Sequence, residues 1–362
     1  MKRPTVLLLG PDRGVISGVA THLNLLLGSA LARRFDIVHF QVGSEGRKEN
    51  KLSLALRLLT SPLRLAAAIL KSGASVVHLN PSLNPKAFWR DLPHLLAAKL
   101  CGARVIYQVH GGSAGEMNPA VLRAALALPD AVVVLSRVEL DALQRLLPRQ
   151  NILLVPNAID CTPFLRPHRT ASGPLRLFHI GRLVAAKGVF ETVQALKLAR
   201  ERGVDAELVI AGDGPALSQL EEQVEKLGLN AHVTFAGPTF GERKTELTCA
   251  ADLLLLPTYH SEGLPYALLE GMAAGLVPIV TRIAAIPDVV SEGVHGLFVP
   301  PRDPEAIAQA VVRLDSDRAG LARMSAACRE RALSAYSIER LADDFTALYS
   351  SIGGSAAPRT AP

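Results

Sequence analysis

The chain has 362 residues, of which 49% are hydrophobic and 20% are charged, and its formal net charge is +6. This length is enough for two hydrophobic cores, and the composition excludes a disordered or fibrous chain. The cysteines are far apart, without a Cys-x-x-Cys pair, which excludes a disulfide framework and indicates separate reduced thiols at Cys101, Cys161, Cys249 and Cys328.

Six short apolar runs in the first half are predicted to be strands, with helix-like segments of roughly 10 to 20 residues between them. The runs are residues 5–9, 36–40, 75–79, 104–109, 131–135 and 151–155. Alternation of strands and helices predicts βαβ units and a parallel sheet. The run 131–135 is apolar throughout, which is typical of a sheet that is covered on both faces.

The alternation pauses at residues 156–174, which contain four prolines and are interpreted as an interdomain linker. It then resumes with predicted strands at 175–180, 207–211, 233–236, 253–256, 277–280 and 297–299. The sequence therefore predicts an α/β protein with two doubly wound, Rossmann-like domains that face each other across a deep cleft. We place the first domain at 1–160 and the second at 161–335, with a last helix at 336–352 and a disordered tail at 353–362.

Doubly wound sheets bind ligands beyond the carboxyl ends of their strands, so the loops after these strands are the places to look for chemistry. In the second half, the first such loop contains Gly181, Arg182 and Lys187, and the next contains Gly212 and Gly214. A guanidinium fork and an ammonium point charge both suit a diphosphate. Taken singly, Arg182 and Lys187 could also be ordinary loop residues whose charges are solvated. The Gly-Asp-Gly segment could also be only a tight turn at the end of a strand.

The loop after the fourth strand of this half leads into a helix with Pro265 in its first turn. The N–H groups at Gly263 and Leu264 would then form an anion site at the helix start. Glu262 and Glu270 place a carboxylate on each side of that start, where each can accept hydrogen bonds from sugar or ribose hydroxyls. A pair of glutamates at this spacing also arises by chance, so the interpretation depends on the joint occurrence of these features in one sheet.

These motifs closely resemble, over residues 156–310, the C-terminal domain of retaining glycosyltransferase family 4, which has the GT-B fold. The matching segments are residues 181–188, 211–215, 261–275, 286–290 and 293–301. The resemblance implies that Arg182 and Lys187 neutralise the donor diphosphate. It also implies that Glu262 contacts the transferred sugar and that Glu270 holds the ribose hydroxyls. The last helix is expected to cross back to the first domain.

One departure from the family pattern lies before Pro287. Many relatives have paired glycines where this chain has Ala284 and Ala285, and alanine stiffens such a loop. The donor is therefore not inferred from the family.

In the first half, a glycine-containing loop follows the first strand, and Gly18 lies at its end. The spacing is neither a dinucleotide fingerprint nor a Walker motif, but it resembles the family loop whose backbone reaches the donor phosphate; a flexible turn is the alternative. His110 follows the strand 104–109, and the resemblance implies that it contacts the donor sugar near the reacting carbon. His39, His78 and His179 are interpreted as packed side chains.

Residues 51–71 combine many leucines with Lys51, Arg57, Arg64 and Lys71. A basic amphipathic helix of this kind can lie on an anionic membrane surface. The alternative, slightly favoured, is a plain helix that covers the sheet, with a break at Pro62. Membrane contact would suit a lipid-linked acceptor.

The sequence thus predicts a retaining glycosyltransferase that moves a hexose-type sugar from a nucleotide diphospho-sugar to a hydroxyl of a saccharide or lipid-linked acceptor, in polysaccharide or glycolipid biosynthesis. No metal motif follows a strand, so no cofactor and no essential metal are expected. Nucleic-acid binding is disfavoured because the basic residues are scattered and only 4% of residues are aromatic. The predicted location is cytoplasmic, with a peripheral position on the inner membrane face. The alternatives are a nucleotide-sugar epimerase or hydrolase of the same architecture, and an inactive nucleotide-sugar-binding subunit.

Overall fold

The structure is a computed structural model, and it describes residues 3–112, 117–165, 173–260 and 263–353. The chain divides into two compact units. The first contains residues up to Ala158 together with the C-terminal segment from Ile338, and the second is Ile159–Ser337.

The first unit contains a sheet of six parallel strands in the order β2-β1-β3-β4-β5-β6. The strands are β1 Thr5–Gly10, β2 Asp36–Gln41, β3 Val76–Leu79, β4 Arg104–Gln108, β5 Ala131–Val134 and β6 Ile152–Leu154. The helices are α1 Gly18–Gly28, α2 Leu31–Arg34, α3 Lys51–Ser72, α4 Pro85–Leu100, α5 Pro119–Leu126, α6 Arg137–Leu146 and α14 Ile338–Gly353. The strand order reverses between β1 and β3, which is where a doubly wound sheet opens a crevice.

The second unit repeats this architecture with the order β12-β11-β10-β7-β8-β9. Its strands are β7 Leu175–Ile180, β8 Ala206–Ala211, β9 Val233–Gly237, β10 Leu253–Leu256, β11 Val277–Val280 and β12 Leu297–Phe298. Its helices are α7 Val189–Glu201, α8 Leu217–Lys226, α9 Gly241–Cys249, α10 Tyr266–Ala274, α11 Ile286–Val289, α12 Pro304–Ser316 and α13 Arg318–Ala335. Here the order reverses between β7 and β10.

Side chains on both faces of each sheet are buried, as the apolar runs predict. In β1, Leu7 packs with the core on one face of the sheet, and Leu8 packs with the core on the other. In the second unit, Leu253 and Leu254 of β10 divide in the same way. All twelve predicted strands are present, and each bound lies within one residue of its expected place.

The last helix packs against the first unit. Phe345 and Tyr349 of α14 are buried in the core that holds Leu8, and the Tyr349 hydroxyl lies 2.8 Å from Nδ1 of His78. The predicted tail falls largely on residues 354–362, outside the described residues.

The boundary between the two units, at Ala158 and Ile159, lies inside the predicted interdomain linker. The described part of this linker is packed, because Ala158 and Phe164 are buried and Ile159 pairs with Ser337, and its residues 166–172 lie outside the described residues. One expectation about local structure needs correction. The expected break at Pro62 is wrong, because α3 runs unbroken through it. By length and composition, α3 is also long and apolar enough to cross a membrane, with a mean hydropathy of 1.4.

Candidate functional site

The loops after β7 and β8 are in direct backbone contact. Leu183 donates its N–H to the carbonyl of Asp213 at 2.9 Å. Gly212 has a φ of +141°, and a Cβ there would lie 1.8 Å from the Gly181 carbonyl oxygen. A Cβ on Gly214 would lie 2.3 Å from the Leu183 carbonyl oxygen. The loops after β7 and β8 can approach this closely only because both positions are glycine. Gly212 and Gly214 are therefore required for the contact between the two loops and not only for a tight turn.

The same edge carries the two expected cations. Arg182 is exposed directly after Gly181, and Lys187 ends a short 3₁₀ turn, Ala185–Lys187. That turn is hydrogen-bonded to the loop after β10: Tyr259 donates its N–H to the Ala186 carbonyl at 2.9 Å. Both cations therefore lie at the point where the strand order of the second sheet reverses.

Gly188 allows this close contact between the two loops. Its φ is +72°, and a Cβ there would lie 2.3 Å from the carbonyl oxygen of Pro257. Beneath the loop, His179 is buried, and its Nδ1 lies 2.9 Å from the Leu255 carbonyl. Burial, with a smaller effect of the Lys187 charge, lowers the pKa of His179 to about 4. A neutral, packed histidine agrees with the sequence interpretation.

The helix α10 begins at this edge, between β10 and β11. Leu264 is buried in the core, where its side chain anchors the start of the helix. Pro265 is extended, with φ −66° and ψ 126°, and precedes the first turn rather than lying within it. Gly263 is half-buried. Glu262, the residue expected to contact the transferred sugar, lies outside the described residues.

Glu270 is buried in α10 and is paired with a lysine. Its Oε1 lies 2.5 Å from Nζ of Lys244 in α9, and the Glu270 side chain is only 12% exposed. Burial raises the pKa of Glu270, although the Lys244 charge opposes the shift. The sequence did not point to Lys244, because nothing in α9 marks one lysine as the partner of a glutamate 26 residues later.

In the first unit, His110 lies two residues after the end of β4 and is hydrogen-bonded to Asn80. The Asn80 amide nitrogen donates to the carbonyls of Leu9 and His78, at 3.0 and 3.4 Å, so its oxygen faces His110 Nε2 at 2.9 Å. An amide oxygen only accepts, so Nε2 carries the proton, which leaves Nδ1 as a hydrogen-bond acceptor when the ring is neutral. The tautomer follows from the neighbouring groups.

Burial keeps His110 neutral, and two further buried histidines lie near it. The ring of His22 packs edge-on to that of His110, with centroids 4.8 Å apart, and both His22 and His78 are buried. Burial lowers the pKa of His22 to about 4 and that of His78 to about 3. Burial, assisted by the charges of these two neighbours, lowers the pKa of His110 well below its usual value.

The glycine loop of the first unit ends at the helix start. Gly18 is exposed at the first position of α1, and Ser17 caps the helix by accepting from the Ala20 N–H at 3.2 Å. Gly18 and His110 thus both lie at the carboxyl edge of the first sheet. In the second unit, loops at the carboxyl edge of the sheet contain Gly181, Arg182, Lys187, Gly212 and Gly214, and Gly263 and Leu264 lie in the segment that leads into α10. Glu270 lies further along, inside α10, where it is paired with Lys244. Among the described residues, no cluster of three or more metal-ligating side chains is found.

Solved structures share this fold over almost the whole chain. The sucrose-phosphate synthase of Thermosynechococcus elongatus superposes with a TM-score of 0.78, at 18% identity, and the match covers 98% of this chain and 100% of that one. HepE of Anabaena, solved in complex with UDP, superposes with a TM-score of 0.76 at 16% identity, covering 97% and 100% of the two chains. The fold is therefore GT-B, as the sequence predicts.

Two family models divide the chain between them. The model described as Glycosyl transferases group 1 matches residues 162–332, and the model described as Glycosyltransferase Family 4 matches residues 16–162. The chain belongs to the group 1 glycosyltransferases, which confirms the predicted family.

Curated relatives match over parts of their length. An exopolysaccharide phosphotransferase of Streptomyces coelicolor is 35% identical over 59% of this chain but only 22% of its own. A GDP-mannose-dependent phosphatidylinositol monomannoside mannosyltransferase of Mycobacterium tuberculosis is 31% identical over 64% of this chain and 66% of its own. The chain thus spans between about a fifth and two thirds of these two relatives.

Proposed function

We propose that the protein is a retaining glycosyltransferase that transfers a hexose-type sugar from a nucleotide diphospho-sugar to a hydroxyl acceptor. The observation that carries this proposal is the position of Arg182 and Lys187. Both lie on a loop that is fastened to its neighbours at the reversal point of the second sheet, beside the start of α10. This is where a doubly wound domain binds a nucleotide.

In the proposed reaction, the bond between the anomeric carbon and the diphosphate breaks as the acceptor hydroxyl oxygen bonds to that carbon, and the hydroxyl proton passes to the leaving diphosphate. Negative charge develops on the leaving diphosphate, and the two cations and the N-terminal end of α10 stabilise it. Because these groups are held in place before reaction, little reorganisation is needed. Side-chain cations supply the countercharge, so we propose that no metal or other cofactor is essential.

The remaining contacts are assigned to other residues. Glu270 would accept hydrogen bonds from the ribose hydroxyls, and the backbone at Gly263 and Leu264 would meet the sugar or phosphate. Glu262 keeps its proposed contact to the transferred sugar. His110 would accept a hydroxyl hydrogen bond at Nδ1, since its ring is neutral and Nε2 is engaged by Asn80. Gly18 would approach the donor phosphate through its backbone.

The acceptor is proposed to be a saccharide or a lipid-linked sugar on the cytoplasmic face of a membrane, in polysaccharide or glycolipid biosynthesis. The names of the two curated relatives, one exopolysaccharide and one phosphatidylinositol mannoside enzyme, support this class. The UDP complex of the Anabaena neighbour supports a nucleotide-linked donor.

A donor screen with product analysis tests the proposal. The protein is incubated with UDP-, GDP- and ADP-sugars in the presence of saccharide acceptors, and nucleoside diphosphate release is measured. The expected product has a new glycosidic bond whose anomeric configuration, read by NMR, equals that of the donor. Free sugar alone would indicate a hydrolase, and an altered nucleotide-sugar would indicate an epimerase. Binding of a donor without any turnover would indicate an inactive subunit.

A further inference from the structure

Helix α3 has two apolar faces, and among the residues that the structure describes only one of these faces is covered. Leu65 and Ile69 are buried in the core of the first unit, and Oγ of Ser61 lies 2.9 Å from Nε2 of His94 in α4. These contacts fix which face of α3 points inward. The alternative given by the sequence, a plain helix that covers the sheet, accounts for this face only.

The opposite face of α3 is a stripe of exposed leucines. Its members are between 61 and 79% exposed, and they follow one another at intervals of four, three, four and seven residues, as on one side of a helix: Leu52, Leu56, Leu59, Leu63 and Leu70. Water-facing leucines in such a row are unusual in a protein without a partner. We call this row the leucine stripe.

The helix α4, which packs against α3, also has exposed apolar side chains. In α4, Phe88 and Leu95 pack in the same core as Leu65, while Trp89, Leu96 and Leu100 are exposed. These three lie at intervals of seven and four residues, so they too share one side of their helix. Trp89 is the only tryptophan of the chain. Tryptophan favours the boundary between water and lipid, where its ring is buried and its N–H stays solvated.

The charged side chains of α3 itself are all positive. The segment Lys51–Ser72 contains four basic residues and no acidic residue. Arg57 is neutralised by Glu49 at 2.6 Å, but Arg64 and Lys71 are exposed beside the stripe. An apolar face with flanking cations is complementary to an anionic lipid surface. A second copy of the chain would bring like charges together on this face.

We propose that the leucine stripe, with Trp89, Leu96 and Leu100, docks the first unit onto an anionic lipid bilayer. The helix lies in the plane of the interface and does not span the bilayer, because spanning would remove Leu65 and Ile69 from their core. Docking would place the protein where lipid-linked acceptors reside. That consequence rests on the proposed function, whereas docking itself does not.

The fluorescence of Trp89 reports docking directly, because no other tryptophan contributes. The full-length protein is mixed with phosphatidylcholine vesicles, with and without phosphatidylglycerol. The emission is expected to shift to shorter wavelength with the anionic vesicles and to be quenched when their acyl chains are brominated. High salt should weaken the effect. Unchanged emission with anionic vesicles would overturn the proposal.

Vesicle sedimentation of variants assigns the surface. Leu56→Gln with Leu59→Gln should lower the partition constant by more than about tenfold, because two leucines lose their transfer into lipid. The matched control, Val138→Gln with Leu333→Gln, alters exposed apolar side chains elsewhere and should leave partition unchanged. Equal losses in both pairs would overturn the assignment, and melting temperatures verify that each variant is folded.

The charges are tested in the same way. Arg64→Gln with Lys71→Gln should weaken binding to anionic vesicles, whereas Lys226→Gln with Arg323→Gln, with the same net charge, should not. Light scattering without lipid measures the oligomeric state and so tests the other possible occupant of this surface, a second copy of the chain. A dimer that the leucine substitutions abolish would mean that the surface binds a second copy and would overturn lipid docking. Nucleoside diphosphate release with a soluble acceptor, measured without vesicles, tests the proposed function separately.

Discussion

The fold disfavours the ionised form of Glu270, because the carboxylate is largely removed from water. Burial raises its pKa even with Lys244 beside it. A carboxyl group whose folded pKa is raised contributes stability below its ordinary value of 4.5, and that contribution is lost as the pH rises. The ionised residue thus reduces stability near neutral pH, a cost that the proposed contact with the donor ribose would explain.

This environment predicts an unusual pH dependence of donor binding. Affinity that depends on the Glu270 carboxylate should fall as the pH drops, beginning above the pH at which an ordinary glutamate protonates. Lys244→Met removes the opposing charge, so it should move the fall to higher pH; Glu270→Ala should weaken binding at every pH. Calorimetric titration with the donor that the screen identifies measures both effects.

The control for this prediction is Lys226→Met, which removes a lysine from an exposed pair with Glu222. Its pH profile should match that of the unaltered protein. If Lys244→Met also gives that profile, Lys244 does not set the ionisation of Glu270. Unaltered affinity in Glu270→Ala would remove its ribose role.

At the scale of elements, the loop between β11 and α11 holds a strained alanine. Ala284 has a φ of +49°, in the left-handed region that glycine adopts freely and other residues adopt at a cost. The substitution of alanine for glycine noted in the sequence therefore puts strain into this loop as well as stiffness. No contact that the structure describes explains why alanine is present.

Replacing this alanine should relieve the strain. Ala284→Gly is expected to raise the free energy of unfolding by about 1 kcal/mol, since the left-handed penalty exceeds the entropy that glycine adds to the unfolded chain. Ala285→Gly is the matched control. Its φ of −82° suits alanine and its methyl group is buried, so that change should destabilise the protein. Denaturant unfolding measures the free energy of unfolding of both variants. A lower value for Ala284→Gly than for the unaltered protein would contradict the strain argument.

The elements themselves were largely predictable from the sequence. The strands could be found because runs such as 253–256 are buried on both faces and are therefore apolar throughout. The break predicted at Pro62 does not occur, because tertiary packing outweighs the backbone hydrogen bond that proline removes from the helix. Ser61 and Leu65, on either side of Pro62, are both buried.

At the scale of the whole molecule, the sequence located the loops of the candidate site but not the side chains that contact each other across the fold. The position of Arg182 and Lys187 after β7 was predictable because a strand end and a local motif mark it. The contacts of Lys244 with Glu270 and of Asn80 with His110 join residues that are distant in the sequence, so only the structure could show them. In α3, apolar residues occur on two faces, and the pattern alone could not tell which face the core covers.

The most direct test of the central claim is donor binding by Arg182→Ala with Lys187→Ala. Each cation is expected to contribute a charge-assisted hydrogen bond to the diphosphate, so affinity should fall by about a hundredfold or more while the melting temperature stays unchanged. The control, Lys226→Ala with Arg323→Ala, removes the same charge far from these loops in the sequence and should bind the donor normally. Donor affinity close to that of the unaltered protein in the Arg182→Ala, Lys187→Ala variant would contradict the account.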